Sequence, residues 1–451
     1  MNNISLLVDL YELTMAQSYF VYKKDSRATF DLFIRDLPPN RSYLICAGLE
    51  DILSYIKNLE FSKEDLKYLK KQKLFSNEFL NYLSKFRFRG DIWAMPEGTV
   101  FFANEPCLRV TASIIEAQII ESALLNTINL QTMIASKASR VVYAAGNKGV
   151  YDFSLRRTHG SDAAVKVSRA SYIAGFKGTS NVLSAKLYNI PAVGTMAHSF
   201  VMAFKREIDS FLAYSSTFPD TTTLLVDTYN TKKGIKNAVL IALYLKEGGY
   251  RLKGIRLDSG DMAGLSKTAR RILDKEGLGY VKIFASGNLD EFKIKNLLDR
   301  DALIDNFGVG TNMGTSIDAP SLDVIYKISE VTDSNGKFLP TMKLSSHKAT
   351  YPGRKQVFRI ENKKRKFVKD ILGLDSEKIK GRALLKKVVD NGRVVYKSPS
   401  IEKIRAFTKE NIEKFDNKLR HIYSEYKYPV LISPQLKKLR NTLHLDLEKR
   451  Q

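Results

Sequence analysis

The hydrophobic pattern of the first 130 residues mixes helical and strand periods. "LYELTMAQSYFVYK" places leucine and aromatic residues at helical spacing, whereas "ATFDLFIR" alternates like a strand. Apolar residues at intervals of three and four predict helices within 46–85, and "GDIWAMPEGTVFFANEPCLRVTAS" predicts strands separated by turns. A long helix is predicted from about residue 114 to 144. This mixture indicates an α+β domain over residues 1–130.

From residue 149 onward the pattern changes to short apolar strands, with helical stretches such as "AGLSKTARRILDKEGLGY" between several of them. The predicted strands are "VYDFS", "YIAGF", "AVGTMA", "TTLLVDT", "GIRLDS", "KIFAS", "IDNFGVG" and "LDVIYKI". Alternating strands and helices favour a parallel sheet, and this many units favour a β/α barrel or a doubly wound sheet. We therefore predict an α/β domain over residues 131–340.

Residues 341–451 return to mixed structure. "RALLKKVVDNGRVVYKSPSIEKIRAFTKENIEKF" predicts two strands around an Asn-Gly turn, followed by a helix. This segment has little core of its own. We expect it to pack with residues 1–130, so that the N- and C-terminal segments build a second α+β domain.

Polar residues and glycines fall at or just after the C-terminal end of six successive predicted strands. They are Asp152 and Arg156, His198, Asp227, Arg256 and Asp258, Ser286, and Gly308 and Gly310. In a β/α barrel these strand ends converge on the face that carries the active site. Each residue alone has an ordinary alternative as a helix cap or loop residue. Their succession indicates a site.

Three short stretches suggest what this site binds. "RLDSGD" (256–261) offers an arginine for a planar anion and carboxylates for ribose hydroxyls or hydrated magnesium, with a salt bridge and helix cap as the alternative. The glycine-rich "FGVGTNMGT" (307–315), next to "ASGNLDE" (285–291), would let backbone amides and a helix N-terminus approach a phosphate. In "DFSLRRTHGSDAA", Phe153 could stack on a flat ring, or it could be a core aromatic beside a solvated basic loop.

His198 and Asp227 follow successive predicted strands, so their side chains should be neighbours on the rim. A carboxylate beside an imidazole fixes its tautomer. The histidine could be a general base, a metal ligand or a phosphoryl acceptor, or simply a satisfied buried histidine. No second histidine or cysteine lies at a suitable strand end, which argues against a metal role.

The composition narrows the class of protein only slightly. The net charge of +24 is spread along the chain without a nucleic-acid-binding signature, and phosphate-rich small substrates would suit such a field equally well. No apolar run approaches the roughly 20 residues that span a bilayer, and the early acidic residues do not fit a signal peptide. Cys46 and Cys107 lie in apolar surroundings and are predicted to be buried thiols. These features predict a cytoplasmic protein with no membrane or nucleic-acid partner.

The segments together closely resemble the nicotinate phosphoribosyltransferase family, in the family's order and over nearly the whole chain. They are "LLVDLYELTMAQSYF", "FDLFIRDLPPNRSYLICAGLED", "DFSLRRTHGSDAA", "GFKGTSNVLSAKLYNIPAVGTMAHSF", "LLVDTYNT", "GIRLDSGDMAGL", "DNFGVGTNMGTS" and the C-terminal "YPVLISPQLKKLRN". The resemblance implies an irregular β/α barrel of the type II phosphoribosyltransferase kind. It also implies transfer of phosphoribosyl from phosphoribosyl pyrophosphate to nicotinate, giving nicotinate mononucleotide and pyrophosphate in NAD salvage.

In this family the transfer is coupled to ATP hydrolysis through an autophosphorylated histidine, which corresponds to His198, with Asp227 orienting it. The implied cofactors are ATP and Mg2+, the metal bound through phosphates, with Asp261 as a candidate protein ligand. The resemblance also implies a homodimer in which Tyr11 stacks on the pyridine ring of the neighbouring subunit. Lys343, within a basic loop, is a weaker candidate for contact with the leaving group.

The remaining roles implied by the resemblance divide by substrate. Nicotinate would be bound by Tyr11, Phe153, Ser180, Thr195 and Arg256. Phosphoribosyl pyrophosphate would be bound by Arg156, Asp258, Gly287, Asn288, Gly308, Gly310 and Thr311.

Ser180 bears on the alternatives within the enzyme class. The related nicotinamide enzyme has an aspartate at this position, which suits an amide and would repel nicotinate. A quinolinate enzyme should need a denser cluster of cations and no phosphoacceptor histidine. A basic nucleic-acid-binding protein on a barrel scaffold would need no ordered rim, and no predicted strand ends in a lysine suited to an aldolase-type Schiff base.

Overall fold

The computed structural model describes residues 4–344 and 350–449. Contacts divide the chain into two compact units. The terminal unit consists of the described residues of 1–133 and 321–451, and the central unit of residues 134–320. The central unit therefore ends at residue 320, whereas the sequence placed this boundary at 340. The difference arises because residues 324–332 form a strand that pairs within the terminal unit.

The first part of the chain supplies six helices and five strands of the described structure, the last helix continuing into the central unit. They are α1 (Leu10–Tyr22), β1 (Arg27–Ile34), β2 (Leu44–Ile45), α2 (Leu49–Asn58), α3 (Lys63–Lys71), α4 (Asn77–Ser84), β3 (Asp91–Ala94), β4 (Val100–Phe101), β5 (Pro106–Ser113), α5 (Ile114–Ile119) and α6 (Glu121–Ala145). The predicted helix over 114–144 is thus two helices that separate at Ile120.

The central unit alternates strands and helices, as the sequence predicts. Its elements are β6 (Gly149–Asp152), a 3-10 turn (Leu155–Arg157), α7 (Ser161–Ile173), α8 (Val182–Tyr188), α9 (His198–Met202), α10 (Glu207–Thr217), β7 (Thr223–Leu225), α11 (Thr231–Glu247), β8 (Gly254–Leu257), α12 (Met262–Lys275), β9 (Lys282–Ala285), α13 (Glu291–Asp299), β10 (Asn306–Val309) and α14 (Thr311–Gly314).

The last part of the chain returns to the terminal unit. Its elements are β11 (Val324–Thr332), β12 (Phe338–Pro340), β13 (Lys355–Glu361), β14 (Phe367–Leu374), β15 (Arg382–Ala383), β16 (Lys386–Asp390), β17 (Arg393–Val394), α15 (Ile401–Glu413), α16 (Asn417–Arg420), β18 (Val430–Ile432) and α17 (Pro434–Glu448).

The sheets of the terminal unit join both ends of the chain. The largest has the strand order β12-β11-β1-β5-β3-β16-β17, and a four-stranded sheet has the order β15-β13-β14-β18. The predicted Asn-Gly hairpin is confirmed, because Asn391 and Gly392 both have positive φ and join the antiparallel pair β16 and β17. The predicted helix after it begins at Ile401 with a Ser400 cap.

The central unit is built on a parallel sheet, which confirms that part of the predicted fold. Its five strands lie in the order β6-β10-β9-β8-β7, and isolated parallel bridges from Asp152 to Thr179 and from Thr179 to Ala192 extend it beyond β6. The barrel remains a prediction.

Three of the predicted barrel strands are wrong, and one of them, "AVGTMA", forms a single bridge at Ala192 and is otherwise a loop. "YIAGF" is the end of α7 and the turn after it, because a buried helix and a buried strand share a continuous apolar pattern. "LDVIYKI" belongs to β11, which pairs antiparallel with β1 in the terminal unit.

No helix among residues 4–344 and 350–449 combines the length and apolar character needed to cross a bilayer. The two cysteines, Cys46 and Cys107, are buried and free, as predicted.

Candidate active site

The parallel strands of the central unit end at one edge of the sheet, and their final residues bring polar side chains together. Arg256 is the next-to-last residue of β8, Asp258 directly follows this strand, and Ser286 directly follows β9. Asp227 and Thr228 come shortly after β7. The C-terminal ends of parallel strands are where α/β folds place their binding sites.

Arg256 makes contacts with the loop that precedes His198. Its Nη1 donates to the Thr195 hydroxyl at 2.5 Å and to the Met196 carbonyl at 3.2 Å. Its Nη2 lies 3.4 Å from Asp258 Oδ1. Burial lowers the pKa of Arg256, while the charge of Asp258 opposes this shift. The Nε hydrogen is buried and has no hydrogen-bond partner among the described residues. An arginine donor therefore remains available inside the site.

Asp258 connects three strand ends. Its Oδ1 accepts a short hydrogen bond from Ser286, and its Oδ2 lies 3.7 Å from His198 Nε2. Its backbone N–H donates to Asp227 Oδ2 at 2.8 Å, and the Ser259 hydroxyl donates to the same oxygen. Asp227 thus holds the turn that carries Asp258.

His198 is the first residue of α9, and its ring is 39% exposed. Its Nδ1 is 3.1 Å from the Thr228 hydroxyl, and its Nε2 faces Asp258. In the described structure no hydrogen bond or ion pair joins His198 to Asp227, so the predicted pairing needs correction. After β7 the chain directs Asp227 toward the β8 turn and the next residue, Thr228, toward the histidine.

Asp227 has an unused acceptor in the site. The residue is 8% exposed, and its Oδ1 has no hydrogen-bond partner among residues 4–344 and 350–449. A buried carboxylate oxygen without a donor is costly unless a ligand satisfies it. The site therefore contains an unpaired acceptor, Asp227 Oδ1, as well as an unpaired donor, Arg256 Nε.

Phe153 forms an aromatic wall beside the strand ends. Its ring stacks on Phe284 with centroids 5.6 Å apart and planes 11° apart. A Cβ at Gly308 would lie 2.6 Å from the Phe153 ring, so this glycine is required for aromatic packing. The prediction that Gly308 lets backbone approach a phosphate therefore has a competing structural explanation.

Two loops carry backbone N–H groups without protein acceptors. Gly287 has φ +101° and would place a Cβ 2.0 Å from the Asp258 carbonyl, and Asn288 follows with φ 51°. The N–H groups of Asn288, Gly310 and Thr311 donate to no acceptor within the described residues. The predicted helix N-terminus contributes little, because α14 has only four residues and the macrodipole needs a longer helix.

Asp152 is a buried structural residue that the sequence presented as part of the rim. Its carboxylate accepts hydrogen bonds from the Ser154 N–H and from the hydroxyls of Ser154, Ser168 and Thr179. Its carbonyl accepts from the Ser180 N–H at 2.8 Å. Asp152 therefore positions both Phe153 and Ser180.

The other predicted site residues are distributed as follows. Arg156 is exposed in the 3-10 turn, and its charge is close enough to contribute to the lowered pKa of Arg256. Asp261 pairs with Arg300 at 2.8 Å. Tyr11 lies on α1 of the terminal unit, where burial raises the pKa of its hydroxyl and Glu121 adds to the effect. The Lys343 N–H, also in the terminal unit, donates to Thr350 at 3.3 Å.

Two residues of the site were missed by sequence reasoning. Thr228 contacts His198, and Asn312 joins the two glycine-containing loops. Each is the immediate neighbour of a residue that the sequence singled out. No group of three or more His, Cys, Asp or Glu that could hold a metal occurs in the described ranges 4–344 and 350–449.

Comparison with known proteins gives matches over almost the whole chain. Three family models match: the nicotinate phosphoribosyltransferase N-terminal domain at residues 6–129, the nicotinate phosphoribosyltransferase family at 149–367, and its C-terminal domain at 380–440.

Individual proteins match at similar length. Nicotinate phosphoribosyltransferase pncB2 of Mycobacterium tuberculosis is 45% identical over 434 residues, covering 96% of this chain and 92% of that protein. The Bacillus subtilis nicotinate phosphoribosyltransferase is 38% identical over 464 residues, covering 96% and 93%. The crystal structure of human nicotinic acid phosphoribosyltransferase superposes with a TM-score of 0.86 at 26% identity, covering 96% and 99%. The chain is an enzyme that belongs to the nicotinate phosphoribosyltransferase family.

Proposed function

We propose that this enzyme transfers the phosphoribosyl group of phosphoribosyl pyrophosphate to nicotinate and couples the transfer to ATP through a phosphohistidine at His198. Family membership supports the transfer reaction in NAD salvage. The observation that carries the choice of substrate is Arg256, whose buried Nε has no protein partner and whose Nη1 already contacts Thr195. A planar guanidinium with a free donor suits a carboxylate.

Nicotinate would lie with its carboxylate toward Arg256 and Thr195 and its ring against Phe153. The half-buried Phe153 ring is braced by Phe284, which supports a rigid wall. Tyr11 from a second copy of the chain would form the opposite wall in a homodimer. Ser180 brings no charge near the ring, so that the site accepts an acid where an aspartate would favour an amide.

The phosphoribosyl group would be held by Asp258 and the two glycine-containing loops. Asp258 would bind the ribose hydroxyls through its partly exposed carboxylate. The free N–H groups of Asn288, Gly310 and Thr311 would bind the 5′-phosphate, and the positive φ of Gly287 would shape the first of these loops. Arg156 would neutralise charge on the pyrophosphate side.

The chemistry follows from positioning. The pyridine nitrogen attacks C1 of the ribose while the bond from C1 to the pyrophosphate oxygen breaks, and pyrophosphate leaves with that electron pair. The attacking nitrogen carries no proton, so no general base is required. Catalysis comes from holding nicotinate in line with C1 and from positive charge around the leaving group.

His198 is suited to accept the γ-phosphoryl group of ATP, with ADP as leaving group. Its ring is accessible, and Thr228 and Asp258 restrain its two nitrogens. Later hydrolysis of the phosphohistidine gives phosphate and would drive the transfer toward nucleotide. Asp227 acts one step further away, through the Asp258 turn.

The carboxylates fit magnesium as a partner of the phosphates. The unpartnered Asp227 Oδ1 and the exposed part of Asp258 are hard oxygen donors, and Mg2+ commonly takes one or two carboxylates together with substrate phosphates. Asp261 is already paired with Arg300, so it is the weaker donor. When bound, the metal would neutralise charge on the phosphates.

Contacts between the two ends of the parallel sheet support an irregular closed barrel. The bridges at Thr179 and Ala192 extend the sheet beyond β6. The segment that follows contacts Thr228, after the opposite edge strand β7, and Arg256 on the neighbouring strand β8. Side-chain contacts at this seam would close the sheet where backbone pairing is absent.

The test is incubation with γ-labelled ATP and magnesium, followed by addition of nicotinate and phosphoribosyl pyrophosphate. Wild type should acquire an acid-labile, base-stable label that the substrates discharge, and His198→Ala should acquire none while retaining slow ATP-independent transfer. His159→Ala, which removes another exposed histidine of the central unit, should behave like wild type. An unlabelled wild type would refute the phosphohistidine, and faster turnover of nicotinamide than of nicotinate would refute the substrate assignment.

A further inference from the structure

Asn312 joins the two loops that contain the unpaired N–H groups. It lies in α14 and is 5% exposed. Its side-chain Nδ2 donates to the Asn288 carbonyl at 3.1 Å and to Asp290 Oδ2 at 3.1 Å. Both hydrogens of the buried amide are therefore committed to the loop after β9.

This side chain replaces a connection that the sheet does not provide. The ladder between β9 and β10 consists of the pairs Asn306–Phe284 and Phe307–Ala285, so it stops before the two loops begin. Past the ladder, within the described ranges, the two bonds from Asn312 are the only hydrogen bonds between residues 286–290 and 308–315. One amide therefore provides the direct hydrogen bonds between the two loops.

The partners of Asn312 are themselves fixed to the first turn of α13. The Asn288 carbonyl also accepts from Lys293 Nζ at 2.8 Å, and Asp290 Oδ1 caps the helix through the Lys293 N–H at 2.8 Å. Asn288 has φ 51°, a left-handed conformation that asparagine tolerates better than most residues. The Asn288 carbonyl accepts hydrogen bonds from both Asn312 and Lys293, and these two bonds hold the loop after β9.

The helix that carries these partners is anchored by buried charges. Glu291, its first residue, is fully buried and pairs with Lys137 at 2.6 Å and Arg140 at 3.0 Å. Lys137 also pairs with Asp318 at 2.8 Å, beyond α14. Buried ion pairs therefore fix the start of α13. Asn312 connects this fixed segment to the loop after β10.

We propose that Asn312 is a positioning residue for the 5′-phosphate of the phosphoribosyl substrate. It sets the separation between the Asn288 N–H on one loop and the Gly310 and Thr311 N–H groups on the other. A phosphate needs donors about 2.7–3.1 Å from its oxygens, so a small relative shift of the loops removes part of the set. This assignment rests on the proposed function of the site.

The test compares Asn312→Leu, which keeps the size and removes the donors, with Asn296→Leu, the same change at an exposed position of α13. Ribose 5-phosphate and pyrophosphate serve as separate calorimetric probes of the two ends of the substrate. Asn312→Leu should weaken ribose 5-phosphate binding about tenfold, the effect of misplacing one N–H donor to a charged phosphate oxygen. Pyrophosphate binding should be unchanged, and Asn296→Leu should match wild type with both probes.

In turnover, Asn312→Leu should raise KM for phosphoribosyl pyrophosphate by a similar factor, with kcat and KM for nicotinate within about twofold. If this variant does not fold, Asn312→Asp provides the same test with an isosteric side chain, and its charge beside Asp290 should weaken binding further. Wild-type affinity for ribose 5-phosphate in a folded variant would overturn the assignment. A wild type that binds ribose 5-phosphate but does not convert nicotinate would instead refute the proposed function.

Discussion

Two arginines, one in each unit, show how a pair of opposite charges can serve different purposes. Arg359 on β13 lies opposite Asp370 on β14 in the terminal unit. Its Nε and Nη2 donate to the two carboxylate oxygens at 2.9 Å and 2.6 Å, and both residues are fully buried. Arg256 in the central unit instead meets Asp258 through one bond of 3.4 Å, and this aspartate is 31% exposed.

The side chains around the two arginines differ as well. The Arg359 guanidinium carbon lies 5.0–5.9 Å from the centroids of Phe102, Phe367 and Phe415, which exclude water. Arg256 is surrounded by hydroxyl and carbonyl oxygens on one side and keeps Nε free on the other. Arg359 Nη1 also lacks a hydrogen-bond partner among the described residues, but it is enclosed by aromatic rings, whereas the unpaired Arg256 Nε lies beside the partly exposed Asp258 and is open to a ligand. An ion pair therefore indicates function when it keeps unpaired hydrogen-bonding groups at an accessible edge.

The strongest test of this comparison is removal of the sealed arginine. Arg359→Met leaves Asp370 buried beside Glu105, whose pKa is already raised by burial and by the charge of Asp370. Breaking one partner of a buried pair should cost about 3–5 kcal/mol of the free energy of unfolding. Denaturant unfolding at neutral pH measures this loss. Arg359→Met combined with Asp370→Leu should recover part of it, and a double variant no more stable than the single one would contradict the account.

The second test replaces the open arginine. Arg256→Lys keeps the positive charge but loses the planar fork that suits a carboxylate, so kcat/KM for nicotinate should fall about 100-fold. Thermal unfolding should change little because the site is not sealed. Arg271→Lys, at an exposed arginine of α12, is the matched control. Unchanged kcat/KM in Arg256→Lys would remove the basis of the comparison.

The smallest expected effect on stability concerns Glu12, a buried carboxyl group of the terminal unit. Burial raises the pKa of Glu12 to about 8, and the charges of Glu121 and Asp9 add to the shift, although hydrogen bonds from Ser122 oppose it. The folded state therefore holds a proton that the unfolded state releases above its ordinary pKa of 4.5, so this contribution to stability decreases as pH rises toward 8.

Glu12→Gln imitates the protonated acid and can still accept from Ser122. Its Tm should equal that of wild type near pH 5 and exceed it by about 2 °C at pH 9. Glu64→Gln, an exposed position on α3, should show no such pH dependence. If the Tm of Glu12→Gln depended on pH in the same way as that of wild type, Glu12 would not be the group that links stability to pH.

The residues that meet at the edge of the central sheet could be predicted because they share a local rule. Arg256, Asp258 and Ser286 each end an apolar strand, and parallel strands align such ends without further information. The Asn-Gly hairpin at 391–392 was predictable for a similar reason, since its positive φ angles are a property of those two residues. The amino-acid pattern by itself determined the strand ends, the turns and the chemical groups available to the site.

Only the tertiary structure decided which of these groups touch. Thr228 rather than Asp227 faces His198, because the direction of adjacent side chains depends on the exact course of the loop after β7. Residues 324–332 look like another barrel strand, but they pair with β1, about 300 residues earlier in the chain. Gly308 is needed for the Phe153 ring that crosses it. Such choices are made by packing and strand pairing between distant segments, and hydrophobic periodicity within one segment carries no information about them.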